Sequence, residues 1–385
     1  MKRMSESIRW IKRMMDRIVF SLFGLFFRRR KGANTILVIR TDGIGDLVFS
    51  LPFVRDLKEH FRDHRLVLVC RDTAAPLANS DLFDSVISFR YLQYRWNYFY
   101  RLMILSRIRT LKPSCTLYLS YHRQHIGDEM AILSGAERVV AFDGNDEIIH
   151  PDMRRANDRH YSDIVQADDH SPESEKYRLL LEKLGISFGG ELEKLKGSRG
   201  LSEGRERGLP EKAIVLTPGG SSALRRWPPE RFAELGDRLA QAVGTKVILC
   251  GNQHEKALLK AIAGKMSRPC TVECDLPIER IAMLIKKAKL VVGNESGLVH
   301  IAASLGTPAV VILGGGHYSR YFPYGSAKIV NHKLDCYECN WKCPFPEPYC
   351  LTRISVEEVM KEVAKLIPHI PLLFVQREGG GSRGG

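Results

Sequence analysis

The sequence predicts an α/β protein of two Rossmann-like domains, each with a parallel sheet covered by helices, the two sheets facing a central cleft. Three observations carry this expectation. Short β-branched apolar runs alternate with amphipathic helical stretches, the pattern of parallel strands buried on both faces. The alternation occurs twice, once from about Ile36 and again from Ala213. Between the two series, Gly189–Pro210 is rich in Gly, Glu, Lys and Arg, the composition of a linker.

In chain order, Ile36–Arg40 reads as the first strand, followed by a Gly-containing turn and a helix from about Asp46 to Phe61. Strands at Leu66–Cys70, near Thr116–Leu119 and near Val139–Phe142 continue the first series. The second series opens with a strand at Ala213–Thr217, a helix at Pro229–Val243 and a strand at Lys246–Cys250. A helix at Ile278–Lys287, a strand at Leu290–Val292, a helix after Ser296 and a strand at Ala309–Leu313 complete it. The predicted organisation is a basic segment over 1–33, a first domain over 34–190, a linker over 191–211 and a second domain over 212–370. A tail over 371–385 reads as disordered, with Gly379–Gly385 the clearest part.

At 385 residues the chain suits two to three domains, taking about 150 residues for each. An apolar content of 44% with 26% charged residues excludes intrinsic disorder of the whole. No apolar stretch approaches the ~20 residues of a membrane span. Nine cysteines without a dense framework disfavour a disulfide-stapled secreted domain and favour a reduced, cytoplasmic enzyme. The net charge of +14 is uneven: ten basic and two acidic residues give residues 1–33 a charge of +8. With no aromatic-studded basic motif beside it, this excess does not point to nucleic acid.

Within the basic segment, Ile8, Ile11, Met15, Ile18, Leu22 and Leu25 recur at helical spacing and form an apolar stripe. Arg28-Arg29-Arg30-Lys31 stands where a signal peptide would need small residues, so export is disfavoured. A helix lying in an anionic cytoplasmic leaflet fits this pattern, making the protein peripheral on the inner face of the inner membrane. A helix packed on the protein's own core or on a partner is the alternative.

Three turns carry chemistry. Thr41-Asp42-Gly43-Ile44-Gly45-Asp46-Leu47-Val48 imitates a dinucleotide fingerprint, but Val48 stands where a small residue should be, and Asp46 would repel a pyrophosphate. Asp46 reads instead as a helix N-cap or as a base at the sheet's edge. Leu216–Pro228 combines Gly, hydroxyl residues and two Arg, suiting phosphate oxygens or simply a flexible turn with solvated Arg. Gly293-Asn294-Glu295-Ser296-Gly297-Leu298-Val299-His300 links a buried strand to a helix, with His300 either structural or functional one turn in.

In this order and spacing, the three motifs resemble glycosyltransferase family 9, the ADP-heptose:lipopolysaccharide heptosyltransferases. The resemblance runs from about Ile36 to Val359 and is strongest at Ile36–Pro52, Leu216–Phe232 and Leu290–Leu313. It implies the GT-B fold, with a nucleotide-sugar donor on the C-terminal domain and a glycolipid acceptor on the N-terminal one. It also implies transfer of heptose, with inversion, to the lipopolysaccharide core. By the resemblance, Asp46 is the general base, and Thr217, Gly219, Gly220, Ser221 and Ser222 form the loop that cradles the donor phosphates. Arg225 contacts those phosphates, and Glu295, Ser296, Gly297 and His300 lie at the diphosphate. Leu276 meets the adenine, and Gln253 falls near the family's ribose-binding acid. Arg225 stands for the family's Lys, Glu295 for its Asp and Gln253 for an acid; the last leaves the donor nucleotide open.

The physical reading of these residues is an inverting transfer. A carboxylate takes the acceptor proton, while amides, Arg and His stabilise the departing nucleoside diphosphate. No Asp-x-Asp occurs in the chain, so metal-independent transfer without a cofactor is expected. The alternatives are transfer of another activated sugar to a different surface glycan, and a dinucleotide-dependent sugar-modifying enzyme. Cys336, Cys339, Cys343 and Cys350 leave structural zinc, unligated thiols and a disulfide open, their spacing being irregular for a zinc knuckle.

Overall fold

The computed structural model describes residues 33–78, 81–188, 208–318, 320–322 and 324–367. Nearly all of the basic N-terminal segment, most of the linker and the C-terminal tail lie outside the described residues. The chain divides into two units. One runs to Asp42 and continues with Phe53–Asp169 and Lys176–Phe188; the other holds Gly43–Pro52, His170–Glu175 and the chain from Gly189 onward.

The first unit is built on a six-stranded parallel sheet in the order β3-β2-β1-β4-β5-β6. Its strands are β1 (Ala33–Arg40), β2 (Arg65–Arg71), β3 (Ser85–Phe89), β4 (Pro113–Tyr118), β5 (Arg138–Phe142) and β6 (Asp163–Val165). The helices between them are α1 (Ile44–His60), α2 (Tyr91–Trp96), α3 (Tyr98–Thr110), α4 (His125–Ile132) and α5 (Pro151–Asp158), followed by α6 (Glu173–Lys183). Leu37, Ile39, Val67 and Val69 of the central strands pack with Tyr94, Ile104 and Met130 of the helices, all buried. Burial of charge in this unit is compensated in pairs. Arg123 donates to both carboxylate oxygens of Asp128 at 2.8 and 2.9 Å, and Arg101 binds Glu129, which also accepts from the Tyr94 hydroxyl at 2.7 Å. An unpaired charge at either place would be strongly destabilising.

The second sheet has the order β12-β11-β10-β7-β8-β9, again all parallel. It comprises β7 (Ile214–Thr217), β8 (Val247–Cys250), β9 (Cys270–Glu273), β10 (Leu290–Asn294), β11 (Ala309–Ile312) and β12 (Ala327–Val330). Its helices are α7 (Pro229–Val243), α8 (Lys256–Ala263), α9 (Ile278–Lys287), α10 (Gly297–Leu305), α11 (Tyr349–Thr352) and α12 (Val356–Leu366). Helix α7 begins with Pro at its first position and ends on Gly244 at φ 64°, the left-handed stop that glycine adopts without strain. Trp227, Phe232, Leu216 and Val292 form the centre of its core with Ile354 and Val359.

In each sheet the order reverses between two central strands, β1 and β4 in the first and β7 and β10 in the second. Loops leaving the carboxyl ends of strands on either side of such a reversal diverge and leave a crevice, where open α/β sheets bind ligands.

Grouping by contact departs from a contiguous first domain over 34–190, because Gly43–Pro52 and His170–Glu175 group with the second unit. The physical reason is aromatic packing within that unit: the Phe49 ring meets Tyr321 and Tyr324 edge-on at 5.3 and 5.1 Å. Backbone N–H of Glu173 likewise donates to the Arg320 carbonyl at 2.8 Å.

Candidate active site

The second unit gathers most of the predicted residues at the switch point of its sheet. Strands β7 and β10 are register neighbours, with Thr217 opposite Gly293. A Cβ on Gly293 would lie 1.7 Å from the Thr217 hydroxyl, so only glycine lets the two strands meet here. The loops that follow them, Pro218–Trp227 and Glu295–Ser296, are tied together at their bases. Asn294 Nδ2 donates to the Pro218 carbonyl at 2.7 Å, and Asn294 Oδ1 accepts the backbone N–H of Trp227 at 2.9 Å.

Arg225, at the end of a short turn that Ser222 opens, binds the Glu295 carboxylate through Nη2 and donates to Ser221 Oγ through Nη1 at 3.1 Å. Its guanidinium lies 5.1 Å from the ring centre of Trp341. Glu295 is 7% exposed. Burial by itself would raise its carboxyl, but the adjacent His300 imidazole and the Arg225 charge outweigh that and hold it well below the usual carboxylate range. His300 Nε2 lies 3.6 Å from Glu295 Oε1, while its Nδ1 is 2.7 Å from the Tyr324 hydroxyl. The imidazole is 2% exposed and stacks on Phe322 and Tyr324. Ser296 is the N-cap residue of α10 and Gly297 its first residue.

Two donors in this cluster are buried without a hydrogen-bond partner, Arg225 Nε and Thr217 Oγ1. Buried donors ordinarily find acceptors, and leaving one unmade costs about 1–3 kcal/mol. The pair therefore suits a ligand rich in acceptor oxygens.

Asp46 belongs to the same unit by its contacts. It stands in the first turn of α1, where its Oδ2 accepts the backbone N–H of Gly43 at 2.9 Å. Its Oδ1 accepts from the Tyr321 hydroxyl and lies 3.9 Å from Arg320 Nη2. Arg320 is held in turn by Glu173, Nε to Oε1 at 3.1 Å. Burial pushes the Tyr321 phenol well above its ordinary value, with Asp46 adding to that and Arg320 opposing it, so the phenol is a permanent donor. At Gly45 a Cβ would come within 2.7 Å of the His300 ring, which brings the turn carrying Asp46 directly against the Glu295–His300 pair.

The remaining predicted residues lie differently. Gly219 and Gly220 are closed over by Glu255: its Oε1 accepts the Gly220 N–H at 3.0 Å, and a Cβ on Gly219 would fall 2.1 Å from that oxygen. The Gly220 amide is thus already engaged by a carboxylate. Ser221 and Ser222 are exposed. Gln253 is exposed at the start of the turn after β8, and Leu276 is half-buried in the loop after β9.

Contributors unread in the sequence include Glu255, His317, Arg320, Tyr321, Tyr324 and Trp341. His317 ends the Gly314-Gly315-Gly316-His317 run after β11, a glycine-rich turn following a buried strand, which is the signal that marks it. Burial chiefly, with Arg320 and Arg225 adding and Glu295 and Asp46 opposing, pushes the His317 imidazole down to about 4. Trp341 packs against that run so tightly that a Cβ on Gly314 or Gly316 would fall 2.5 or 2.4 Å from its ring. Glu338, Asn340 and Trp341 all hold left-handed backbone, at φ 64°, 48° and 59°, strain concentrated where the Cys-rich segment meets the site. Its four cysteines are free, and among the described residues no group of three or more His, Cys, Asp or Glu is placed to hold a metal ion.

Residues 161–346, which include every loop of this cluster except the Asp46 turn, match the family model Glycosyltransferase family 9 (heptosyltransferase). The chain carries a glycosyltransferase family 9 domain. Curated relatives of the family 9 domain include lipooligosaccharide heptosyltransferase 2 of Campylobacter jejuni, 25% identical over 166 residues that cover 40% of this chain and 52% of that protein. Lipopolysaccharide core heptosyltransferase OpsX of Haemophilus influenzae is 25% identical over 173 residues, 40% of this chain and 48% of that protein. The matches thus span about half the length of these relatives. A solved family 9 glycosyltransferase from Veillonella parvula superposes with a TM-score of 0.73 at 18% identity, over 89% of this chain and 99% of the other. The Escherichia coli ADP-heptose LPS heptosyltransferase II superposes with a TM-score of 0.67 at 19% identity, over 87% and 98%. These likenesses show a common fold, the GT-B class of two Rossmann-like domains.

Proposed function

We propose that the protein is an inverting glycosyltransferase that moves a sugar, heptose from ADP-heptose in the first instance, to a lipopolysaccharide core or related glycolipid. The observation that carries this reading is the pair of orphaned donors, Arg225 Nε and Thr217 Oγ1, buried at the β7–β10 switch point beside the start of α10. Such a place favours a diphosphate: oxygen acceptors meet unmade N–H and O–H bonds, and the helix start adds favourable potential.

In the transfer, the acceptor hydroxyl oxygen bonds to the anomeric carbon as the bond from that carbon to the diphosphate oxygen breaks. The hydroxyl proton goes to Asp46 and the electron pair leaves with the nucleoside diphosphate. Arg225, Ser221 and the amides opening α10 take up the charge that develops on the leaving group. Glu295 and Ser221 fix the two terminal nitrogens of the Arg225 guanidinium, with His300 against Glu295 in turn, while its Nε stays available. The sugar and acceptor are read from the family and its relatives; the exposed Gln253, where the family has an acid, makes the ribose contact the least constrained part of the reading.

Incubation with a panel of nucleotide-sugars, following nucleoside diphosphate release in the presence of a short lipopolysaccharide-core acceptor, tests the proposal. Release from ADP-heptose alone supports it. Release from a different activated sugar keeps the transferase and changes the donor, and binding of NAD with no release from any sugar overturns it.

A further inference from the structure

Helices α2 and α3, in the first unit, carry an apolar surface that no described element covers. Leu92 and Trp96 are one turn apart on α2, and Phe99 and Met103 are one turn apart on α3. Their exposures are 60%, 46%, 87% and 46%, and four of the six large apolar side chains exposed among the described residues fall in these twelve positions. The two helices meet at Asn97, whose side chain accepts the Tyr100 N–H at 3.0 Å and fixes the corner between them. Apolar clusters of this kind on a protein surface mark contact with a partner or a membrane.

The charge around the patch selects the partner. From Ser85 to Gly127 the sequence has seven Lys and Arg and not one Asp or Glu. Arg101 and Arg123 are buried and paired with Glu129 and Asp128, but Arg95 and Arg107 stand exposed beside the apolar residues. Arg95 lies over the Trp96 ring at 5.3 Å, an aromatic and a cation side by side. A second copy presenting the same face would set Arg against Arg. The N-terminal segment, at +8, would likewise set its cations against the exposed Arg95 and Arg107. Anionic phospholipid suits both features, its phosphates meeting the arginines and its acyl boundary taking up Trp, Phe, Leu and Met.

We infer that the α2–α3 corner is a membrane-docking surface, with Leu92, Trp96, Phe99 and Met103 entering an anionic leaflet and Arg95 and Arg107 at its headgroups. The inference concerns lipid alone and needs neither donor nor acceptor, so it stands or falls apart from the transferase reading. Because the four side chains are exposed, polar replacements should leave the fold intact.

Co-sedimentation of the full-length protein with phosphatidylglycerol–phosphatidylcholine vesicles, and with phosphatidylcholine alone, tests it. Phe99→Ser with Met103→Ser, and separately Arg95→Glu with Arg107→Glu, should each lower partition to anionic vesicles by about tenfold or more. Melting temperatures within error of the parent would show that both variants are folded. Unchanged partition in both variants overturns the inference, as does equal binding of the parent to phosphatidylcholine alone. A parent that is dimeric in solution while Phe99→Ser with Met103→Ser is monomeric would assign the face to a second copy and also overturn it. So would binding lost only when Arg28, Arg29, Arg30 and Lys31 are all changed to Gln, since lipid contact would then rest with the basic segment.

Discussion

The Arg225 guanidinium is bound to the Glu295 carboxylate, and the two residues come from loops on opposite sides of the reversal in the second sheet. The pair closes the base of the crevice and leaves Arg225 Nε unbonded. Glu295 stays ionised because Arg225 and His300 together overcome its burial. The site is therefore charged in a fixed arrangement before any ligand arrives, which is what electrostatic stabilisation of a leaving diphosphate requires.

Arg225→Ala should weaken nucleoside diphosphate binding by roughly 10- to 100-fold, the worth of one or two charge-assisted hydrogen bonds. Arg225→Lys should recover only part of this, since an ammonium cannot hold Glu295 and Ser221 while offering a third donor in the same plane. Calorimetric titration with ADP checks both; equal affinity in Arg225→Ala and the parent would remove the diphosphate from this loop.

Asp46→Asn should lower the rate of transfer at least about a hundredfold, by loss of the proton acceptor, while leaving donor affinity near that of the parent. The amide oxygen can still accept from Gly43 N–H or the Tyr321 hydroxyl, so the turn should persist. Single-turnover kinetics beside donor titration separate the two effects. Transfer at the parental rate by the folded variant would take Asp46 out of the base role.

Gly316→Ala should displace Trp341, whose ring would lie 2.4 Å from the new methyl group. A stability loss of about 1–3 kcal/mol is expected from the overpacking. Donor affinity should fall as well, although no charge has been removed, because Trp341 lies against Arg225. A full stability loss with donor affinity unchanged would show that Trp341 supports the fold and not the guanidinium.

Stability should fall as pH drops from 6.5 to 4, in part through His317. Unfolded, its imidazole takes a proton below about 6.5; folded, it stays neutral down to about 4. In that window the unfolded chain binds the extra proton, so acid favours unfolding, by roughly 2–3 kcal/mol across the whole interval. His317→Gln should flatten this part of the profile. Urea denaturation at several pH values between 4 and 7 checks it, and an equally steep loss in the variant would assign the dependence to other groups.

The sequence by itself determined the alternation of strand and helix, and with it the parallel sheets. A strand buried on both faces must be apolar at nearly every position, as Leu37–Ile39, Ile214–Leu216 and Val247–Leu249 are. The strands absent from the sequence reading, β3, β6, β9 and β12, are the four edge strands. An edge strand need bury less of itself, and Asp163–Val165 or Cys270–Glu273 carries too little apolar pattern to stand out. The glycine turns that open the site were legible for a related reason: Gly45, Gly219 and Gly293 mark places where backbone meets a side chain at distances no Cβ allows. What only the tertiary structure decided is the partners of the charged residues. That Arg225 binds Glu295, that Glu255 closes on the glycine loop, and that Tyr321 donates to Asp46 depend on loops that the sheet order brings together from as many as 275 residues apart. Periodicity records which face of an element is buried; it holds no information about which loop end will face another, because that is fixed by strand order, and strand order is settled by packing of the whole domain.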